Sequence, residues 1–255
     1  MKNFRPAIAM LLLGALGSLA PICRAAGVPP AIAAAVADAH RPQADRARDA
    51  LRKPAETIAF AGLAPGQVIG ELLPGEGYFT RIFAGVVGER GHVYAVAPPA
   101  RPGKKDYEGG ARALARDPHY ANVTILAERL DQLHFPVPLD MVWTSQNYHD
   151  LHNIPGFDLA KFNRAVFDAL KPGGIYLVLD HAAQAGSGTR DTSTLHRIDP
   201  QAVKREVLAA GFELDASSDL LHRPEDPHTA AIFDPSIRGK TDQFIFKFRK
   251  PASAR

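Results

Sequence analysis

The chain of 255 residues contains one cysteine, one tryptophan and three methionines. The cysteine is Cys23, so the chain beyond it contains neither a disulfide nor a cysteine-ligated metal site. The P-loop pattern, the Gly-x-Ser-x-Gly elbow and paired-cysteine metal motifs are also absent from the sequence. These absences exclude a disulfide scaffold and give no support for a P-loop nucleotidase or an α/β-hydrolase.

The sequence also lacks a large excess of positive or negative charge. The sequence has 30 basic and 27 acidic residues, and three of the basic ones are Lys2, Arg5 and Arg24. Beyond residue 25 the remaining 27 basic residues therefore equal the 27 acidic ones. A balanced chain gives no electrostatic reason to bind polyanions, so we expect no nucleic-acid partner.

The first 25 residues have the pattern of a secretory signal peptide. Lys2 and Arg5 precede an apolar run over residues 6–19, and Cys23-Arg24-Ala25 resembles a small-x-small cleavage site. The run is short for a membrane span, although an uncleaved anchor is the alternative. We therefore predict a periplasmic or secreted protein that has no membrane attachment after cleavage.

The N-terminal part of the mature chain is predicted to be helical. Residues 26–66 form this extension, and the main domain covers residues 67–255. Asp45, Arg48, Asp49 and Arg52 follow helical spacing within residues 29–53. We interpret them as a solvated helix face with ion pairs rather than as an anion site.

From residue 68 onward, short apolar segments alternate with helical patterns. This alternation predicts an α/β fold: a Rossmann-like, doubly wound, mostly parallel sheet of seven strands with an antiparallel edge strand. The connections over residues 181–199 and 218–242 are unusually long, which is typical of functional lids. The predicted strands are residues 68–72, 92–96, 123–127, 139–144, 175–179, 213–217 and 243–248.

The turn after the first strand carries a family resemblance. Glu71-Leu-Leu-Pro-Gly75-Glu-Gly77 resembles motif I of class I S-adenosylmethionine-dependent methyltransferases. Residues 147–152, 170–174 and 234–244 are similar to segments of exported bacterial proteins described as predicted methyltransferases. The resemblance implies a methyltransferase-like domain over residues 67–255, S-adenosylmethionine as cofactor, and an unknown small-molecule acceptor as substrate.

The resemblance also implies which residues contact the cofactor. Gly75 and Gly77 would let the backbone pass close to its methionine part, and Glu71 would reach its amino group. Residues after the third strand would reach the adenine, and those after the fourth strand would face the methyl group and acceptor. The predicted cofactor contacts are Glu71, Leu73, Gly75, Gly77, Ala97, Glu128, Asp131, Ser145 and Asn147.

Two of these positions depart from the family pattern. Leu73 replaces a glycine, and Ala97 replaces the acidic residue that accepts the ribose hydroxyls. A leucine forced to positive φ costs about 1–2 kcal/mol, and a lost charge-assisted hydrogen bond costs about 1.5–3 kcal/mol. The alternative hypothesis is therefore a non-catalytic ligand-binding protein on a degenerate methyltransferase fold.

Tyr148 and His149, beyond the fourth strand, are the predicted catalytic residues. A tyrosine or a neutral imidazole there would orient or deprotonate the acceptor. The alternative is that Asp150 caps the next segment and the histidine is an ordinary loop residue. Six side chains could supply the three ligands that a metal site needs, but their spacing matches no metal-binding motif, so we assign no metal site. They are His149, His152, Asp180, His181, His222 and Asp226.

Overall fold

The computed structural model describes Met1, residues 27–99, Asp106 and residues 108–252. The predicted signal peptide therefore lies outside the described residues, apart from Met1. Within the described ranges, every helix is too short or too polar to cross a bilayer.

One seven-stranded sheet organises the described residues. Its order is β3-β2-β1-β4-β5-β7-β6, with β1 to β5 parallel and β7 antiparallel to both of its neighbours. This topology confirms the predicted α/β fold and its antiparallel edge. The strands are β1 (Val68–Leu72), β2 (His92–Val96), β3 (Val123–Leu126), β4 (Leu139–Ser145), β5 (Leu170–His181), β6 (Glu213–Ser218) and β7 (Gln243–Arg249).

Helices cover both faces of the sheet. One hydrophobic cluster joins α1, α4 and α5 to one face, and a second joins α7, α8 and α9 to the other. The helices are α1 (Pro30–Val36), α2 (Gln43–Arg46), α3 (Asp49–Arg52), α4 (Pro54–Ala61), α5 (Tyr78–Val87), α6 (Gly109–Leu114), α7 (Tyr148–Leu151), α8 (Leu159–Ala169) and α9 (Pro200–Ala209).

Aromatic packing fixes α5 on the sheet. The Trp143 side chain of β4 is fully buried, and its ring lies 5.0 Å from that of Phe79 and 4.9 Å from that of Phe83. Burying each large apolar side chain contributes about 1.5–3 kcal/mol. The contact holds the N-terminus of α5 at the carboxyl ends of β1 and β4, where doubly wound folds bind ligands.

Residues 29–53, which the sequence predicts to be helical, are interrupted in the structure. They form three short helices, α1 to α3, and α2 begins only after Pro42, whose ring prevents a helix from continuing through it. A second break, between α3 and α4, occurs at the predicted end of this region, at Lys53, which has a positive φ of 43°. These breaks fold α2 and α3 back toward α5.

The charged face of this segment is not simply solvated, which corrects our interpretation of the sequence. Asp45 is 5% exposed and accepts a hydrogen bond from Arg81 at 3.1 Å. Asp49 binds both terminal nitrogens of Arg41 and accepts a hydrogen bond from the Tyr78 hydroxyl at 2.6 Å. The ion pairs are present, but they attach α2 and α3 to α5.

A buried ion pair joins the two long connections. Arg197 donates from both terminal nitrogens to Asp226 at 2.8 and 3.0 Å, and the two side chains are 0% and 1% exposed. Asp226 also accepts a hydrogen bond from the Asp242 backbone N–H at 2.7 Å. Residues 182–199 and 218–242 are thus held against the sheet and against each other. Their function as lids remains a prediction.

Candidate functional site

The turn between β1 and α5 has the backbone conformation of a glycine-rich loop. Leu73, Gly75 and Gly77 have φ values of 52°, 59° and 78°. The expectation that Leu73 stands where a positive φ is needed is therefore confirmed, and a leucine costs about 1–2 kcal/mol there. The strain lies at the edge of the sheet where the first strand ends.

Gly77 is also required for close packing. A Cβ at this position would lie 3.1 Å from Leu114 Cδ1 and 3.6 Å from Ala111 Cα, both in α6. The Ala111 backbone N–H donates to the Gly75 carbonyl at 3.2 Å. Helix α6 therefore lies directly on the glycine turn.

Glu71 is a buried carboxyl group at the end of β1. It is 3% exposed, and its Oε2 accepts a hydrogen bond from the Thr80 hydroxyl at 2.6 Å. Burial raises the pKa of Glu71 to about 8, which the Thr80 hydrogen bond only partly offsets. The group is thus mostly protonated at neutral pH, and an arriving cation would favour its ionisation.

Arg52 is a cation near Glu71 that no motif in the sequence marks as a site residue. Its guanidinium lies 4.2 Å from the ring centre of Tyr78 and 5.0 Å from that of Phe79, and it donates to Gln146 Oε1 at 2.9 Å. Burial lowers the pKa of Arg52 to about 10, so the group stays charged at neutral pH. Its only sequence signal was the helical charge spacing that we interpreted as a solvated face.

Glu108 brings a second carboxylate to the turn. Its Oε2 accepts a hydrogen bond from the Gly75 backbone N–H at 2.6 Å, and burial raises its pKa to about 7. Ala97, at the expected ribose-acid position, is fully buried, and its carbonyl accepts a hydrogen bond from Arg112 at 3.0 Å. The turn therefore has an acidic group from residue 108, which no sequence pattern marks, while Arg112 links the Ala97 carbonyl to the Asp106 carboxylate.

Asn147 joins β4 to the glycine turn. Its Nδ2 donates to the carbonyls of Leu72 and Leu73, each at 3.2 Å, and its Oδ1 accepts a hydrogen bond from the Thr144 hydroxyl. The buried Ser145 hydroxyl has no hydrogen-bond partner among the described residues. Both predicted contacts lie at the end of β4, and Asn147 holds the turn in position.

The two residues predicted to reach the adenine lie beyond β3. Glu128 is half-buried. Asp131 pairs with Arg129, which donates to its two carboxylate oxygens at 2.9 and 2.7 Å. Contact with the adenine remains a prediction for both, and for Asp131 it would require release from this exposed pair.

The Tyr148 hydroxyl lies in the layer of α8 and α9. The side chain is 0% exposed, and its hydroxyl donates to Glu206 Oε2 at 3.1 Å and accepts from Asn163 Nδ2 at 2.9 Å. A catalytic role for Tyr148 remains a prediction, but this geometry gives the hydroxyl a structural task.

His149, just beyond β4, and Asp180, near the end of β5, form a buried pair. Asp180 accepts from the His149 backbone N–H and faces its Nδ1, both at 2.8 Å. Burial alone would lower the pKa of His149, but the Asp180 carboxylate outweighs it and raises that pKa. Asp150 lies within α7 rather than at its N-cap, which is Asn147, so the expected capping alternative is wrong.

Solved structures of other proteins share this architecture. A SAM-dependent methyltransferase from Aquifex aeolicus has a TM-score of 0.54 and 15% identity, covering 80% of this chain and 98% of that one. A putative sarcosine dimethylglycine methyltransferase from Galdieria sulphuraria has a TM-score of 0.56 and 15% identity, covering 82% and 87%. The fold is that of class I S-adenosylmethionine-dependent methyltransferases.

A third methyltransferase-fold neighbour was solved with its ligand. The glycopeptide N-methyltransferase MtfA, complexed with S-adenosyl-L-methionine, has a TM-score of 0.53 and 16% identity over 77% of this chain and 86% of that one. No protein-family model matches the present chain. No curated protein matches it either.

Proposed function

We propose that this protein is an S-adenosylmethionine-dependent methyltransferase that acts on a small-molecule acceptor. The observation that carries the proposal is that Glu71, at the end of β1, and Arg52, over the rings of Tyr78 and Phe79, both lie where β1 turns into α5. One side chain can become an anion and the other is a cation, as recognition of an amino-acid head group requires. This proposal is supported by the position of Glu71 at the carboxyl end of β1, because doubly wound folds bind ligands at the carboxyl ends of their strands.

In this proposal each charged group binds one part of the cofactor. Glu71 accepts hydrogen bonds from the ammonium group, and Arg52 donates to the carboxylate of the methionine part. Glu108 supplies the carboxylate for the ribose hydroxyls that Ala97 lacks. The positive φ values of Leu73, Gly75 and Gly77 hold the turn close to the ligand.

Methyl transfer to the acceptor is an in-line displacement at the sulfonium carbon. It requires positioning of the two reactants and removal of the acceptor proton. We assign removal of the acceptor proton to His149. Asp180 holds its Nδ1, and its Nε2 has no hydrogen bond among the described residues. We include export from the cytoplasm in the proposal, and fractionation of cells that express the full chain tests it.

The second candidate is a binding protein that retains the fold without catalysis. The strain at Leu73 and the occupation of the Gly75 N–H by Glu108 favour it. Calorimetric titration with S-adenosylmethionine and its demethylated product separates the candidates at the first step. An absence of heat with millimolar ligand would contradict the methyltransferase proposal.

Replacing Arg52 with methionine should weaken cofactor binding. Loss of a charge-assisted hydrogen bond costs about 1.5–3 kcal/mol, which is about 10–150-fold in Kd. Methionine keeps apolar contact with Tyr78 and Phe79, so the fold should persist. Titration calorimetry with S-adenosylmethionine measures the change.

The matched control is Arg48→Met. Arg48 also lies over the Tyr78 ring, at 4.9 Å, but its side chain is 48% exposed and pairs with Asp45. Its removal should leave Kd within about twofold, since an exposed pair contributes little. Equal effects of the two variants would show that Arg52 acts through general charge and not as a ligand.

Replacing Glu108 with glutamine should also reduce affinity, by about tenfold, because two charge-assisted hydrogen bonds to the ribose become neutral ones. Glutamine can still accept from the Gly75 N–H, so the turn keeps its conformation. Titration of Glu76→Gln, an exposed change in the same turn, provides the comparison. Tighter binding by Glu108→Gln would mean that Glu108 competes with the ligand.

A further inference from the structure

Three potential metal ligands meet beyond the ends of β4 and β5. The Asp150 Oδ1 atom lies 3.4 Å from His149 Nε2 and 3.4 Å from His196 Nδ1. All three ligand atoms lie within 4.8 Å of one another. His149 and Asp150 come from α7, whereas His196 comes from the long connection over residues 182–199.

The His149 imidazole has an unused nitrogen that faces this group. The residue is 1% exposed, and its Nε2 has no hydrogen-bond partner in the described part of the chain. A buried polar atom normally has a partner, because leaving it unpaired costs about 1–3 kcal/mol. His149 Nε2 therefore lacks the partner that a buried polar atom normally has.

Asp180 holds the imidazole in the orientation of a metal ligand. Its Oδ1 lies 2.8 Å from His149 Nδ1, which favours a proton on Nδ1, and the opposite nitrogen, Nε2, lies 3.4 Å from Asp150 Oδ1. A carboxylate behind a histidine is the usual support for a metal-bound imidazole. The two other ligand side chains, Asp150 and His196, are 46% and 32% exposed, which leaves one side open.

The other histidines among the six potential metal ligands in the sequence are engaged elsewhere. His181 Nδ1 lies 2.8 Å from the Thr241 hydroxyl, and His152 lies 3.3 Å from Glu206. His222 pairs with Asp242 at 2.9 Å. Asp226 of the same set binds Arg197. The structure thus brings His149 and its support Asp180 to this place, with the His181 ring 6.2 Å from that of His149, and it adds Asp150 and His196.

We propose that His149, Asp150 and His196 bind a divalent transition-metal ion of the zinc type. Two imidazoles and one carboxylate form a donor set that suits such an ion. Ligands held about 2.0–2.2 Å from a tetrahedral ion lie about 3.3–3.6 Å apart, close to the two 3.4 Å separations. Three protein ligands leave a fourth position for water or an acceptor.

The ion would change how the acceptor is activated. A metal-bound hydroxyl or thiol loses its proton more readily, because the positive charge stabilises its anion. His149 would then act as a ligand and not as a base. This consequence for the acceptor depends on the proposed methyl transfer, whereas metal binding itself does not.

Zinc titration of the tag-free protein without S-adenosylmethionine tests the proposal, and Co²⁺ absorption reports the coordination. One zinc ion should bind per chain, and His196→Asn and Asp150→Asn should each weaken binding by more than the roughly 10–100-fold that loss of a supporting partner costs. Asparagine tolerates the positive φ of 54° at residue 196. Without zinc, the free energy of unfolding of each variant should match that of the parent protein.

The control addresses the other cluster of possible ligands among the described residues, which is Asp38, His40 and His119. His40→Asn combined with His119→Asn should leave the zinc affinity unchanged. Three outcomes would overturn the proposal. The double variant could lose zinc binding, His196→Asn and Asp150→Asn could bind zinc as tightly as the parent, or the parent protein could bind no zinc. Cofactor titration fails or succeeds independently of each of these outcomes.

Discussion

Asp226→Asn should destabilise the protein by about 3–5 kcal/mol, because removing one charge of a buried pair leaves the other uncompensated. The Arg197 side chain is 0% exposed, and both of its terminal nitrogens bind Asp226. Asparagine would also turn an amide N–H toward groups that donate, among them the Asp242 backbone N–H. Urea unfolding at neutral pH measures the loss.

The control for this prediction is Asp215→Asn. Asp215 also binds an arginine through both oxygens, Arg249 at 3.0 and 2.9 Å, but the side chains are 29% and 41% exposed. Its loss should cost less than about 1 kcal/mol. Similar losses in the two variants would contradict the importance of burial.

The same pair has a defined pH dependence. Burial alone would raise the pKa of Asp226, but hydrogen bonds from Asp242 and Arg197 hold it below its ordinary value. The folded state therefore binds this proton less readily than the unfolded chain. The stabilisation is complete above the ordinary pKa of 3.8 and disappears as the pH falls through the lower folded value.

The order of strands and helices could be predicted because its signal is local. The apolar segment 92–96 lies between Gly91 and Pro98, and the segment 175–179 follows Pro172-Gly173-Gly174; glycine and proline mark these connections. The start of β5 at Leu170 was not visible in the sequence, since Leu170 joins the sheet through its pairing with Leu139. Pairing between distant residues leaves no periodic pattern in either segment.

The candidate site was predictable only where a motif fixes the backbone. Leu73, Gly75 and Gly77 were identified from the turn, and the structure gives all three a positive φ. Arg52 and His196 reach the same edge of the sheet from short helices and long connections whose course depends on tertiary packing. Their neighbours in space are far away in sequence, so spacing alone could not select them.

Glu71→Gln should stabilise the folded protein at alkaline pH. Burial raises the pKa of Glu71 from 4.5 to about 8, so the folded state keeps a proton that the unfolded chain releases. The carboxyl group's stabilising contribution is therefore complete below 4.5 and is lost as the pH rises to about 8. Above that pH the variant should be more stable by roughly 2–5 kcal/mol, at 1.36 kcal/mol per pKa unit.

Urea unfolding at pH 9 and at pH 4.5 tests this difference. Glutamine carries no charge, and its carbonyl can still accept the Thr80 hydrogen bond, so the two proteins should have similar stabilities at pH 4.5. A variant that is less stable than the parent at pH 9 would show that the Glu71 carboxylate is satisfied by the folded protein itself. The expected gain in stability of Glu71→Gln at alkaline pH would then have no physical cause.

The same substitution should weaken S-adenosylmethionine binding by about 10–150-fold, because a hydrogen bond to a charged group contributes about 1.5–3 kcal/mol. Near pH 6.5 the parent must release the Glu71 proton when the ammonium group binds. Calorimetry in buffers with different ionisation enthalpies should detect that release, and it should be smaller in the variant. A gain in stability combined with a loss of affinity identifies a carboxyl group kept for a ligand at the expense of the fold. Unchanged affinity and proton release would instead place the amino group of the cofactor away from Glu71.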